Sequence, residues 1–196
     1  MSTYVAMGDS FTAGTDPSVA RWPDELARSL GGRYVNLAVV GATSKDVEEE
    51  QLDRAIELAP DVVTLVCGAN DVLFSTRPDA DAYAERLSRM FTRLRHERPD
   101  VMILTATYPD ISRFLDLRPR SRIRVELGMR RFNAAARKVA KRHQVVLLEG
   151  FDHPVTEERT SFADDGFHLG EEGHRAAARE FLRALKQRLR PRPRPA

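Results

Sequence analysis

The chain has 196 residues, 42% of them hydrophobic, and a formal net charge of +2 from 31 basic and 29 acidic side chains. This balance is that of an ordinary globular domain and excludes a disordered or fibrous chain. No apolar run approaches the ~18–20 residues that span a bilayer, no signal-peptide pattern opens the chain, and the single cysteine, Cys67, excludes an internal disulfide.

Short apolar runs rich in Val, Leu and Ile alternate along the chain with longer amphipathic stretches. The runs are continuous rather than alternating in polarity, which is typical of buried parallel strands. In chain order they predict a strand at 4–9, helix 22–30, strand 34–40, helix 43–58, strand 61–68, helix 79–97, strand 101–107, helix 124–143, strand 145–150 and helix 170–189. The sequence therefore predicts an α/β fold, with helices covering both faces of a parallel sheet.

Local signals support some of these boundaries and set the extent of the domain. Pro23 suits the first turn of a helix, Thr43 or Ser44 can cap the next one, and Gly31 can end the first.

We expect one domain over residues 1–190, located in the cytoplasm and without stable membrane insertion. Pro and Arg alternate over 191–196, which predicts a disordered tail, and the remaining arginines are too dispersed to indicate a nucleic-acid partner.

Polar residues follow several of the predicted strands, at the sheet edge where α/β proteins bind ligands. Ser10 follows the first strand, and a segment beyond the fifth contains Asp165 and His168. A serine hydroxyl needs a base to activate it, and that base needs an orienting carboxylate. We therefore predict Ser10 as nucleophile, His168 as base and Asp165 as its partner. Asp164 and His174 are the alternatives in the same segment.

Acyl transfer also requires hydrogen-bond donors for the oxygen that becomes negative. The backbone N–H groups of Ser10 and Gly41 and the side-chain amide of Asn70 are the candidates, because each follows a predicted strand. Asp9 and Asp71, beside these positions, are expected to accept backbone N–H bonds that brace their loops.

Four segments in this order, "GDSFTAG", "NLAVVGAT", "GAND" and "DGFHLGEEGH", resemble the motifs of the SGNH hydrolases, or GDSL esterases and lipases, especially their compact bacterial single-domain members. The resemblance extends from about residue 4 to residue 185. The departure is Phe11, where the motif that names the family has Leu.

The resemblance implies a flavodoxin-like three-layer α/β/α fold and hydrolysis of esters or thioesters without a metal or organic cofactor. It implies that Ser10, Asp165 and His168 are catalytic and that Ser10, Gly41 and Asn70 form the oxyanion hole. The expected partner is a small-molecule ester with a small or medium acyl group, since no lid insertion or membrane-binding helix is evident. The oligomeric state is not predicted.

Two other classes of function stay open at this point. A metal-dependent phosphoesterase also places such side chains at strand ends, and the chain offers Asp9, Asn70, Asp71, His168 and His174. The second alternative is a binding domain on the same fold whose site is idle.

Three further features have a structural and a functional interpretation. Cys67 lies in an apolar run and is expected to be a buried, inert thiol. Phe11 and Trp22 can line an acyl pocket or pack in the core. The segment 108–124 is polar and interrupted by proline, so we expect it to stay out of the core and to lie over the site.

Overall fold

The computed structural model describes residues 2–150 and 153–189, and these contain a single five-stranded parallel sheet. The strands are β1 (Thr3–Gly8), β2 (Arg33–Asn36), β3 (Val62–Val66), β4 (Met102–Ala106) and β5 (Val146–Leu148). Their spatial order, β2-β1-β3-β4-β5, is that of flavodoxin-like folds. The predicted tail at 191–196 lies outside the described residues.

Helices of very different lengths connect the strands. They are α1 (Ser10–Ala13), α2 (Trp22–Leu30), α3 (Ser44–Asp46), α4 (Leu52–Glu57), α5 (Ala69–Leu73), α6 (Ala80–Glu97), α7 (Pro119–Arg142) and α8 (Glu171–Leu189). A π-helical turn, Val47–Gln51, joins α3 to α4, and two 3₁₀ turns, Pro154–Glu157 and Arg159–Ser161, precede α8. Helices α2 and α8 pack together, as do α4, α6 and α7. The three-layer α/β/α prediction is confirmed.

The core lies between the sheet and these helix layers. All five residues of β3 are buried, as are the last five of β1, which agrees with their continuous apolar sequence. Trp22 is 2% exposed and stacks on Phe181 of α8 at 4.3 Å between ring centroids, so it packs in the core. Cys67 is buried as predicted, and this burial raises the pKa of its thiol.

The structure corrects three of the expectations drawn from the sequence, two on the limits of elements and one on burial. Strand β2 ends at Asn36 and not at 40: the N–H groups of Leu37 and Val39 still donate to β1, but regular pairing has stopped and Val39 is exposed. Helix α7 begins at Pro119 and not at 124, since proline fits a first helical turn. The segment 108–124 is not excluded from the core, because Tyr108 and Ile111 are buried within it.

The signals at the helix ends act largely as predicted. Thr43 caps α3 in a reciprocal arrangement with Asp46, each side chain accepting the other residue's N–H. Gly31 ends α2 with a φ of 65°. Within the described residues, no helix combines the length and apolar character needed to cross a membrane.

Candidate active site

The first component of the site is the turn after β1, which holds Ser10. Gly8 has a φ of 147°, and a Cβ atom there would lie 2.1 Å from the carbonyl oxygen of Val66, so only glycine fits. Asp9 then caps α1, its Oδ1 accepting the N–H of Phe11 at 3.0 Å. Ser10 is the first residue of α1 and is 3% exposed. The strand-to-helix turn thus holds the serine rigidly at the carboxyl edge of the sheet.

Two long-range contacts fix this turn from either side. The Gln51 side chain brackets the Gly8 residue, with Nε2 donating to the Gly8 carbonyl at 2.9 Å and Oε1 accepting its N–H at 2.8 Å. Gln51 ends the π-helical turn, a local widening that is frequent at functional sites. On the other side, Trp22 donates its indole N–H to the carbonyl of Phe11 at 2.7 Å.

His168 meets Ser10 across 158 positions of sequence, and Asp165 contacts the far side of its ring. The Nε2 atom of His168 lies 3.0 Å from Ser10 Oγ, and its Nδ1 atom lies 2.6 Å from Asp165 Oδ2. Asp165 Oδ1 accepts the N–H groups of Phe167 and His168 at 2.8 and 2.9 Å. One carboxylate therefore orients both the backbone and the ring of the histidine.

The hydrogen bonds also set the ionisation of Asp165. Its partial burial acts to raise the pKa, but the bonds from the His168 ring and the two N–H groups outweigh this and lower the pKa below its usual value. An ionised carboxylate is what stabilises a positive imidazole ring.

A tight loop between the 3₁₀ turns and α8 presents this pair. Phe162 and Leu169 form an antiparallel bridge, and the Ala163 N–H donates to the His168 carbonyl at 2.8 Å. Gly166 turns the chain with a φ of 70° and lies close to the carbonyl of Phe114. The segment after β4 therefore packs under the histidine loop.

The structure also locates the two alternative residues. The side chain of Asp164 is not hydrogen bonded to His168, and its carbonyl accepts a bond from Arg159. His174 is 3% exposed, its Nδ1 accepts the N–H of Trp22 at 3.4 Å, and burial lowers its pKa to about 4. A neutral, buried ring of this kind belongs to the α2–α8 packing.

The three predicted donors lie on neighbouring loops. The N–H groups of Ser10 and Gly41 have no hydrogen-bond acceptor within residues 2–150 and 153–189. Gly41 has a φ of 84°, which turns its exposed peptide as few other residues can. The Asn70 amide donates one hydrogen to the Ala42 carbonyl at 2.9 Å, and its second N–H has no acceptor within the described residues.

The loops that hold these donors are tied to each other and to β1. Val39 donates its N–H to the Gly8 carbonyl at 3.1 Å, which brings the Gly41 turn to the end of β1. Asp71 accepts the N–H and hydroxyl of Ser44 at 2.7 and 2.5 Å. Burial raises the pKa of Asp71, although these bonds act to lower it. Both Asp9 and Asp71 thus accept backbone N–H bonds, as expected.

The sequence analysis did not predict three residues that support this site, namely Gln51, Tyr108 and Asn133. Tyr108 lies two residues beyond the end of β4, so its position near a strand end was a usable signal. Gln51 and Asn133 lie inside helical patterns, and the signal that could have identified them is that each is a polar residue on the buried face of its helix.

The described part of the chain has no metal site of the usual composition. No three His, Cys, Asp or Glu residues in it are grouped as ligands.

Solved structures of other proteins are similar to this chain in fold. A lipase/acylhydrolase from Enterococcus faecalis has 22% identity and a TM-score of 0.73, covering 98% of this chain and 100% of that one. A lipolytic G-D-S-L protein from Veillonella parvula has 19% identity and a TM-score of 0.75, covering 95% and 100%. The acetylxylan esterase Axe2 from Geobacillus stearothermophilus has 20% identity and a TM-score of 0.73, covering 94% of each chain.

These structural likenesses show a shared fold. No curated protein sequence matches the chain. The model of the GDSL-like lipase/acylhydrolase family, however, matches residues 6–176, a span that includes Ser10, Gly41, Asn70, Asp165 and His168. The match covers most of the chain and the whole of the site, and the chain therefore belongs to the GDSL-like lipase/acylhydrolase family.

Proposed function

We propose that the protein is a serine hydrolase that cleaves esters or thioesters of small or medium acyl groups through an acyl-enzyme on Ser10. The observation that carries this proposal is the continuous hydrogen-bonded chain from Ser10 Oγ to His168 Nε2 and from His168 Nδ1 to Asp165, with lengths of 3.0 and 2.6 Å. Family membership supports ester hydrolysis in general.

In the first half of the reaction, Ser10 Oγ attacks the acyl carbonyl carbon while His168 Nε2 takes the hydroxyl proton. Asp165 stabilises the resulting imidazolium and keeps the proton of the ring on Nδ1 before the attack. The carbonyl oxygen becomes negative, and the N–H groups of Ser10 and Gly41 and the Asn70 amide are the donors that receive it.

In the second half, the tetrahedral intermediate collapses and the alcohol or thiol leaves with a proton from His168. Water then attacks the acyl-serine ester, His168 again acting as base, and the acid product leaves with regeneration of the Ser10 hydroxyl. No proton or electron is required from a cofactor in these steps.

The preference for a small or medium acyl group rests on the connections at this edge of the sheet. Between β4 and α7 the chain packs inward through Tyr108 and Ile111, and between β5 and α8 the described segment forms 3₁₀ turns and the histidine loop. In the described residues of these connections there is no amphipathic helix, the element with which interfacial enzymes bind a lipid surface.

The test is the reaction of the purified chain with a fluorophosphonate, followed by identification of the labelled peptide. We expect rapid labelling of Ser10, loss of labelling in Ser10→Ala, and hydrolysis of p-nitrophenyl acetate and butyrate faster than palmitate. Activity is expected to survive a metal chelator. Absence of labelling in the folded protein would support the idle binding domain, and loss of activity on chelation would support a metal-dependent enzyme.

Ser88 provides a matched control. Its Oγ lies 2.7 Å from His143 Nε2, so it is a second serine bonded to a histidine. Burial and the guanidinium groups of Arg95 and Arg142 lower the pKa of His143, and no carboxylate is bonded to that ring in the described residues. We therefore expect Ser88→Ala to retain full labelling at Ser10.

A further inference from the structure

A buried pair of residues behind the nucleophile turn has no role in the reaction described above. Tyr108, two residues beyond the end of β4, donates its hydroxyl to Asp9 Oδ2 at 2.5 Å across 99 positions of sequence. Asp9 is 0% and Tyr108 3% exposed. The two oxygens of Asp9 thus have separate partners, since Oδ1 accepts the N–H of Phe11.

The backbone of Tyr108 is held through both its N–H group and its carbonyl group. Asn133, in the middle of α7, accepts the Tyr108 N–H through Oδ1 and donates to its carbonyl through Nδ2, both at 2.9 Å. The Phe11 ring meets the Tyr108 ring edge to face, at 4.9 Å between centroids. These contacts hold the backbone and the ring of Tyr108, and part of this support comes from α7, a helix remote from Ser10.

The environment makes this contact strong. Burial raises the pKa of Asp9 to about 7, with the Tyr108 and Phe11 bonds acting in the opposite direction, and burial raises the pKa of the Tyr108 phenol well above its usual value. A carboxyl group without access to water depends on its protein donors, because leaving it unpartnered is costly. Asp9 therefore cannot rotate without losing a bond that water does not replace.

We propose that Tyr108 is a positioning residue for Ser10, acting through the Asp9 carboxyl group. By holding Oδ2, Tyr108 keeps Oδ1 on the Phe11 N–H, which fixes the α1 turn. The α1 turn then directs the Ser10 hydroxyl towards His168 and the Ser10 N–H towards the substrate oxygen. This inference rests on the proposed role of Ser10 as the nucleophile.

The proposal is tested with Tyr108→Phe, which removes only the hydroxyl group. Tyr4→Phe is the matched control, because Tyr4 is also buried and its hydroxyl bonds to Thr64 Oγ1 at 2.9 Å in the same sheet. The readouts are the rate constant for fluorophosphonate labelling of Ser10 and the kcat and KM for p-nitrophenyl acetate. Thermal unfolding of each variant reports folding.

Both variants lose one buried hydrogen bond, so similar decreases in Tm are expected. Tyr108→Phe should also lower kcat and the labelling rate by about tenfold with little change in KM, because a misaimed nucleophile slows the chemical step. Tyr4→Phe should stay within about twofold of the wild type in both rates. Equal kinetics for the two variants would refute the positioning role.

A double-mutant cycle tests whether the effect passes through Asp9. In Asp9→Ser the shorter side chain can still cap α1 but does not reach Tyr108, so the helix keeps a cap while the contact between the turn and the phenol is lost. Adding Tyr108→Phe to Asp9→Ser should then cause no further loss, and additive losses would overturn the proposed route. If the wild type itself is not labelled, the nucleophile assignment fails; if only these comparisons fail, the positioning role fails alone.

Discussion

The orienting carboxylate is the residue whose replacement tests the site most directly, and Asp165→Asn is the sharpest change. The amide oxygen of Asn can keep the two bonds to the N–H groups of Phe167 and His168, so the loop should retain its shape. The amide nitrogen would replace Oδ2, which lies 2.6 Å from Nδ1, and would donate to it. His168 would then carry its proton on Nε2, where it cannot accept the proton of Ser10.

The expected magnitude follows from the exposure of Asp165, whose side chain is 49% exposed. Opposite charges about 4 Å apart interact by about 1 kcal/mol in water and about 4 kcal/mol near a protein surface. Since each 1.36 kcal/mol is about tenfold in rate, loss of charge alone corresponds to roughly 5-fold to 10³-fold. The wrong tautomer adds to this, and we expect kcat/KM to fall by about 10³-fold, below the ~10⁴-fold typical of a fully buried carboxylate.

The assay is hydrolysis of p-nitrophenyl acetate by Asp165→Asn and by Asp164→Asn, a matched control at the adjacent position. The side chain of Asp164 is exposed and has no bond to His168, so the control should stay within about twofold of the wild type. A large loss in Asp164→Asn together with a small loss in Asp165→Asn would refute the assignment. That result would mean that Asp164, and not Asp165, is the partner of His168 during turnover.

Three further predictions concern the oxyanion donors and stability. Asn70→Ala should lower kcat by about 10²-fold with a smaller change in KM, and unchanged turnover would remove Asn70 from the oxyanion site. Gln51→Leu should lower the free energy of unfolding in urea by about 1–3 kcal/mol, because it strips the bonds from buried Gly8, whereas exposed Gln187→Leu should change it by less than about 0.5 kcal/mol. Because the pKa of His174 falls from 6.5 to about 4 on folding, stability present above pH 6.5 should be lost as the pH falls towards 4. His174→Gln should reduce this acid loss, by about 2 kcal/mol between neutral pH and about pH 4.5, and an identical loss in both proteins would contradict the reasoning.

The pattern of elements was readable from sequence because it depends on local properties. Continuous apolar runs and amphipathic stretches predicted the five strands and the long helices, and their alternation predicted the parallel sheet. The short helices α1 and α5 were not predicted, because each has only four or five residues and begins within three residues of the end of a strand. The early end of β2 at Asn36 also escaped, since Val39 and Val40 are apolar yet exposed.

The candidate site was predictable for a different reason, which is the topology of the fold. In a parallel sheet the carboxyl ends of the strands lie at one edge, so Ser10, Gly41 and Asn70 were expected to converge. The short interval between Asp165 and His168 allows one loop to present both, but it also suited Asp164. The structure distinguishes the two carboxylates, because Asp165 contacts the His168 ring through Oδ2 and accepts two backbone N–H groups through Oδ1.

The sequence by itself determined the order of the elements, the parallel sheet and the edge at which the polar residues gather, because these follow from local periodicity and chain direction. Tertiary structure alone decided that Gln51 brackets Gly8, and that Tyr108, bracketed by Asn133, holds Asp9. Such contacts depend on how each helix is rotated and placed against the sheet. Periodicity gives the buried face of a helix but does not give its partner, and a polar residue on that face finds its hydrogen bond only after packing is complete.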